Sequence, residues 1–261
     1  MTSKINKLLE ISQHEVMNKN VLYFWSGGND SSLLLRMFLH ENIMKYCRLT
    51  IIVIPFPQHC YSTENFNMTL EYFKGKGIDV KFLATESKID ENIPYSDACP
   101  LCKRIRRDRF LEYFNPIVEQ GDVIITGHNL SDLMSYYIEM HIMNLKHESQ
   151  ELYHNRYLEV SNKFLQSYIA ENDVVIFRPL LHLLQSEVNE TLKNPLYANY
   201  PLEIITKDCF WGNQRKRLLQ DYFFKASVEP TFDSVYALMS EKFGIPSLSD
   251  FRTLPFDTYL L

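Results

Sequence analysis

The stretch Trp25 to Ser32, WSGGNDSS, sets two glycines and three serines between an apolar run, VLYF from Val21, and LLLRMFLH, whose apolar residues continue at helical spacing. A loop of small residues between a buried strand and a helix is where α/β proteins hold phosphate. Gly27 and Gly28 let the backbone approach an anion closely, Ser26, Ser31 and Ser32 offer hydroxyls, and the helix start supplies unpaired N–H groups. The stretch fits neither G-x-x-x-x-G-K-[ST] nor G-x-G-x-x-G. Asp30 would repel a bare phosphate, so it suits a helix cap or a place beside Mg²⁺. A tight strand-to-helix turn without a ligand is the plainer alternative.

A second stretch, Cys99-Pro100-Leu101-Cys102, runs into KRIRRDR, which holds five cations in seven residues. A lone CxxC serves a redox pair, half of a zinc site, or a cluster. The candidate third thiol is Cys209, in DCFWGNQRKR, again followed by basic residues. Zinc on three cysteines with His128 or His182, and three merely buried thiols, stay open beside the cluster. Cys47 and Cys60 fit no ligand spacing and read as core or incidental thiols.

Two shorter elements complete the set. Gly127-His128-Asn129-Leu130-Ser131-Asp132 ends one apolar run and opens a helical one. There Asp132 is placed to cap the helix or help hold Mg²⁺, and His128 to touch a phosphate or base. Arg178 precedes Pro179 at the end of another run, where a guanidinium can pair with phosphate. A surface arginine before a strand-ending proline explains it as well.

The elements that must position these residues alternate along the chain. Strands are predicted from Val21, Leu49, Asp79, Asp122 and Asp173, the last four nearly continuous apolar runs of the kind covered on both faces. Between them DSSLLLRMFLHEN, STENFNMTLEYFKGKG, CKRIRRDRFLEYF and SDLMSYYIEMHIM are helical in period, with Ser62 or Thr63 as an N-cap. Alternation of this kind predicts an α/β fold, a doubly wound parallel five-stranded sheet with right-handed crossovers. After Pro179 the pattern turns helical. Residues 1–181 are therefore expected to form the sheet domain and 182–261 a helical C-terminal extension carrying Cys209.

Composition restricts the partners. The chain has 261 residues, 46% hydrophobic and 23% charged, and reads as globular. No apolar run approaches a membrane span of about 20 residues. The N-terminal stretch lacks a signal peptide's apolar centre, so a cytoplasmic location is expected. The formal net charge of −5 means that any nucleic-acid contact must be local, at Lys103 to Arg109 or Arg215 to Arg217.

The four elements together resemble the N-type ATP pyrophosphatases, the PP-loop superfamily, whose SGGxDS loop follows the first strand. The resemblance spans essentially the whole chain and implies a Rossmann-like, adenine nucleotide alpha hydrolase-like fold. It also implies ATP, cleaved between the α and β phosphates to adenylate a carbonyl oxygen. Ser26, Gly27, Gly28, Asn29, Asp30, Ser31 and Ser32 would then hold pyrophosphate, with Gly127, His128, Asp132 and Arg178 beside the nucleotide. Many members carry lysine where this chain has Asn29.

The cysteine arrangement looks like that of the tRNA 2-thiocytidine synthetase group. Similar enzymes hold a [4Fe-4S] cluster on three cysteines, here Cys99, Cys102 and Cys209, and leave one iron open to sulfide. The implied reaction is sulfur for oxygen on a tRNA base, served by a sulfide donor. A free nucleobase or other small carbonyl substrate, and a ligase using no sulfur, are the alternatives. A homodimer stays open.

Overall fold

The structure, a computed structural model, describes residues 2–54, 60–61, 63–84, 89–90, 92–114, 116–135, 167–169, 173–198, 200 and 205–207. Cys209, the basic stretch 215–217, both later helical patterns of the extension and residues 136–143 lie outside the described residues.

The five expected strands form one parallel sheet: β1 (Asn20–Phe24), β2 (Arg48–Val53), β4 (Asp79–Phe82), β5 (Val123–Ile125) and β7 (Val175–Phe177). Their order is β4-β2-β1-β5-β7, and β6 (Ser167–Ile169) adds an antiparallel strand outside β7. Val21 lies opposite Leu49 on one side and Val123 on the other, which centres β1. Side chains alternate between two cores, as the strand period requires. Val21, Tyr23, Ile51, Val53, Val123, Ile125 and Phe177 face one, and Leu22, Ile52, Ile124 and Ile176 face the other.

The first core is covered by α1 (Thr2–Val16), α2 (Asn29–His40), α3 (Thr63–Gly75) and α5 (Gln185–Leu192). Helix α2 is buried continuously from Ser31 to Leu39, because α5 and its neighbours cover the side turned from the sheet. The second core is covered by the C-terminal half of α4 (Tyr95–Phe114), through Phe110 and Phe114. Placing β4 and β2 to one side of β1, and β5 and β7 to the other, reverses the winding direction between β1 and β5. That reversal is the switch point of a doubly wound sheet, beside which ligands bind at the strands' carboxyl ends.

Besides the added antiparallel strand β6, three details differ from the sequence expectation. β4 is the outer strand, bonded to β2 alone, so Asp79, Lys81 and Phe82 are exposed instead of being covered on both faces. Helix α4 begins at Tyr95, seven residues before Cys102, and carries Pro100 inside it. That proline forfeits one i→i−4 hydrogen bond near the helix start. Finally, β3 (Cys60–Tyr61) and β8 (Ile205–Lys207) form an antiparallel ribbon with Cys60 opposite Lys207. The apolar and turn signals of two- and three-residue strands are too short to be read from one sequence.

Candidate nucleotide site

The Trp25–Ser32 stretch forms the connection from β1 to α2, at the switch point. Gly27 is left-handed, with φ +74°, and Gly28 is the N-cap of α2, its carbonyl accepting the first helical bond from Ser32 N–H at 2.9 Å. The hydroxyls of Ser26 and Ser31 are 3.0 Å apart. Ser31 Oγ also accepts from Ser26 N–H at 3.2 Å, and Ser26 Oγ accepts from Gly28 N–H at 3.3 Å. Two hydroxyls and the first-turn N–H groups therefore converge on one small volume at a helix N-terminus, the arrangement that binds an anion. Asn29 opens α2 and is exposed; Asp30 follows, half-buried.

Two aromatics beneath the loop hold it. Tyr23 donates its hydroxyl proton to Ser31 O at 2.6 Å, and the indole N–H of Trp25 donates to Ser32 Oγ at 3.0 Å. Both rings are fully buried. Burial, reinforced by the charge of Asp30 and opposed by a bond to the Leu35 backbone, pushes the Tyr23 phenol well above its ordinary value of 10.0, so it remains a donor. Ser32 thus turns its hydroxyl toward the core, whereas Ser26 and Ser31 keep theirs together in the loop.

The turn after β5 lies directly across the switch point. A β-carbon on Gly127 would come within 3.0 Å of Ser31 N. His128 Nδ1 and Thr126 Oγ1 are 2.9 Å apart. Asn129 and Asp132 cap each other's backbone: Asp132 N–H donates to Asn129 Oδ1 at 3.1 Å, and Asn129 N–H to Asp132 Oδ2 at 3.0 Å. This reciprocal capping box fixes the helical residues 130–135 and realises the capping role expected of Asp132. Arg178 is buried, 1% exposed, at the carboxyl end of β7.

Gln185, the first residue of α5, joins the two loops. Its Nε2 donates to Asp30 Oδ1 at 2.7 Å, its Oε1 accepts from Asn129 Nδ2 at 2.9 Å, and its N–H donates to Ser131 Oγ at 2.9 Å. Sequence reasoning missed Gln185, Thr126 and the buttresses Tyr23 and Trp25. The usable signal for Gln185 was the helix start itself, since Glu187 Oε2 accepts from Leu184 N–H at 2.8 Å.

Cys99 and Cys102 stand one helical turn apart in α4. Because α4 leads from the end of β4 back to the start of β5, its N-terminal half lies toward the carboxyl edge of the sheet. Phe110 packs on Phe24, the last residue of β1, with ring centroids 4.4 Å apart. Cys102, eight residues earlier, lies about 12 Å from Phe110 along the helix axis, in the N-terminal half of α4. Its side chain is half-buried. Among the described residues no three potential metal ligands come together, and Cys209 lies outside them. Cys47 is a core thiol as expected: it packs on the first core, and burial pushes it up to about 11.

A five-stranded parallel sheet in this order, with helices on both faces, has the adenine nucleotide alpha hydrolase-like fold. The U34-tRNA thiolase NcsA from Methanococcus maripaludis, solved with its [4Fe-4S] cluster, shares it at TM-score 0.58 and 17% identity, over 90% of this chain and 80% of that one. An NMN synthetase from Francisella tularensis aligns at TM-score 0.49 and 14% identity, over 98% of this chain and 97% of its own. No family model and no curated protein matches the chain by sequence. Among the described residues no helix is long and apolar enough to cross a membrane.

Proposed function

We propose that this chain is an ATP-dependent adenylating enzyme that replaces a carbonyl oxygen with sulfur. The observation that carries the first half is the convergence, at the switch point, of the Ser26–Ser31 loop with the Gly127 turn. There the first-turn N–H groups of α2 and the hydroxyls of Ser26 and Ser31 would hold the β and γ phosphates. Asp30 would meet them through Mg²⁺, because a carboxylate so placed needs a cation between itself and phosphate. His128 and Arg178 would stand beside the nucleotide, with Asp132 securing the helix that follows His128. The substrate carbonyl oxygen attacks the α-phosphate and pyrophosphate leaves, stabilised by donors that are already in position.

The second half rests on the thiols. Soft thiolates suit an iron–sulfur cluster, and two of the three cysteines stand one turn apart in the N-terminal half of α4. Cys99, Cys102 and Cys209 would hold a [4Fe-4S] cluster able to present sulfide taken from a donor. The adenylated carbon would gain that sulfur and AMP would leave with the original oxygen. The fold shared with a tRNA thiolase supports a tRNA base as substrate, and exposed Lys103 and Arg104 beside Cys102 are suited to phosphate backbone. The net charge of −5 favours the second reading, a free base or other small carbonyl compound.

The test is iron and acid-labile sulfide after anaerobic purification, in wild type and Cys209→Ala. About four of each per chain, lost or labile in the variant, is the expected result. Zinc, or no metal after reconstitution, overturns the sulfur half. Pyrophosphate release from ATP tests the adenylating half separately. Salt-sensitive tRNA binding, lost when Arg106 and Arg107 are neutralised, separates RNA from a small substrate.

A further inference from the structure

We infer that Gln185 is a positioning residue that sets the Asp30 carboxylate for a nucleotide-bound divalent cation, an inference that rests on the ATP reading above. Gln185 and Asp30 are 155 residues apart, yet the amide nitrogen reaches Oδ1 at 2.7 Å. An ionised carboxylate only accepts, so the amide must turn its NH₂ toward Asp30 and its oxygen toward the Asn129 amide, 2.9 Å away. Both ends of one side chain are thereby committed, and the Gln185 N–H is committed to Ser131 Oγ. Gln185 Nε2 also donates to Asn189 Oδ1 at 3.4 Å. One oxygen of the carboxylate is thus oriented by a residue that is itself held by Asn129, Ser131 and Asn189.

The chemistry of the donor matters as much as its reach. Lysine or arginine here would form an ion pair with Asp30 and draw down the charge a cation needs. Glutamate could not donate, and asparagine is one methylene short. A neutral amide orients the carboxylate and leaves its charge in place. Mg²⁺ demands near-ideal octahedral geometry, so a carboxylate oriented at one oxygen is worth more to it than a swinging one. Partners of metal ligands matter in this way generally, with affinity falling about 10- to 100-fold on their removal.

The experiment measures ATP affinity by calorimetry on the full chain, without metal and across a Mg²⁺ series, for wild type, Gln185→Ala and the near-isosteric Gln185→Met. Wild-type affinity is expected to rise with Mg²⁺, and both variants to lose about tenfold of that rise, a loss larger than any in their metal-free affinity. An equal loss with and without Mg²⁺ in both variants would mark Gln185 as structural only and overturn the assignment, as would no loss at all. If wild type binds ATP without any Mg²⁺ dependence, the positioning role falls and the nucleotide reading stands. If wild type binds no ATP, the nucleotide reading falls and takes this inference with it.

Discussion

Gly127 and Ser31 meet across the switch point so closely that a β-carbon on Gly127 would lie 3.0 Å from the Ser31 nitrogen and 3.1 Å from its α-carbon. The neighbouring atoms are backbone at the first turn of α2, which cannot rotate aside. Gly127→Ala must therefore move the β1–α2 loop or the turn after β5. The expected cost is about 1–3 kcal/mol, with a fall of several degrees in melting temperature. ATP affinity should fall with it. Gly75→Ala, at the end of α3 with nothing within 4 Å of the new carbon, is the control and should hold or raise stability by about 0.4–1 kcal/mol. Equal melting temperatures for both variants would show that the close approach does not constrain the loop.

Tyr23 links the sheet to the same helix turn through its 2.6 Å bond to Ser31 O. Tyr23→Phe removes one buried hydrogen bond and should cost about 0.5–1.5 kcal/mol at neutral pH. A pH effect accompanies it. Burial raises the phenol's value in the folded chain above the 10.0 of the unfolded one. The unfolded state thus loses its proton first, and the contribution is complete below pH 10 and lost as pH rises beyond it. Melting temperature from pH 9 to 11 should fall less steeply in Tyr23→Phe than in wild type. Some slope remains from Tyr72, Tyr113 and Tyr197, all raised by partial burial. Parallel curves would remove Tyr23 from the account.

The sheet and its winding were legible because five apolar runs alternate with helical patterns, and an alternation of that kind has few topologies open to it. The loop's place between strand and helix was legible from its small residues, but its cap was not. The sequence offered Asp30, whereas Gly28 caps α2 and Asp30 lies in the first turn, because the left-handed Gly27 brings the chain into the helix earlier. What joins the loops was not legible either. Gln185 bonds to Asp30 and Asn129 across 155 and 56 residues, and nothing in LLQSEVNE distinguishes it from an ordinary polar helix start. Likewise β4 reads as a covered strand from DVKFLA, and only its place at the edge of the sheet explains its exposure. Ser32 shows a subtler limit. A third serine in this loop suggests a phosphate role, and the structure adds what the sequence does not show, that its hydroxyl accepts from the buried Trp25 indole.

Cys47 provides a reactivity contrast that needs no cluster. Its thiol is pushed up to about 11 by burial, so at pH 8 about one molecule in a thousand carries the reactive thiolate. Brief iodoacetamide treatment of the native chain, read by peptide mass spectrometry, should leave Cys47 unmodified, and unfolding should expose it. Cys47→Ala should also retain the wild-type iron and sulfide content. Loss of iron in that variant would make Cys47 part of the metal chemistry instead of the core.

Asn29 stands where many of the PP-loop enzymes that the loop resembles in sequence carry lysine, and the structure places it exposed on the first residue of α2. Asn29→Lys brings two opposing effects. A cation at a helix N-terminus meets the positive end of the dipole and costs about 0.3–1 kcal/mol. A charge-assisted bond to a phosphate oxygen contributes about 1.5–3 kcal/mol. The dipole cost is present with and without ATP and so lowers stability alone, whereas the phosphate bond counts toward binding. ATP should therefore bind about tenfold more tightly, or better, while the unliganded chain melts a few degrees lower. Calorimetry and a melting curve on the same preparation check both signs at once. Lower stability with no gain in affinity would mean that the phosphates lie away from position 29, and that Mg²⁺ on Asp30 or an arginine supplies the positive charge instead.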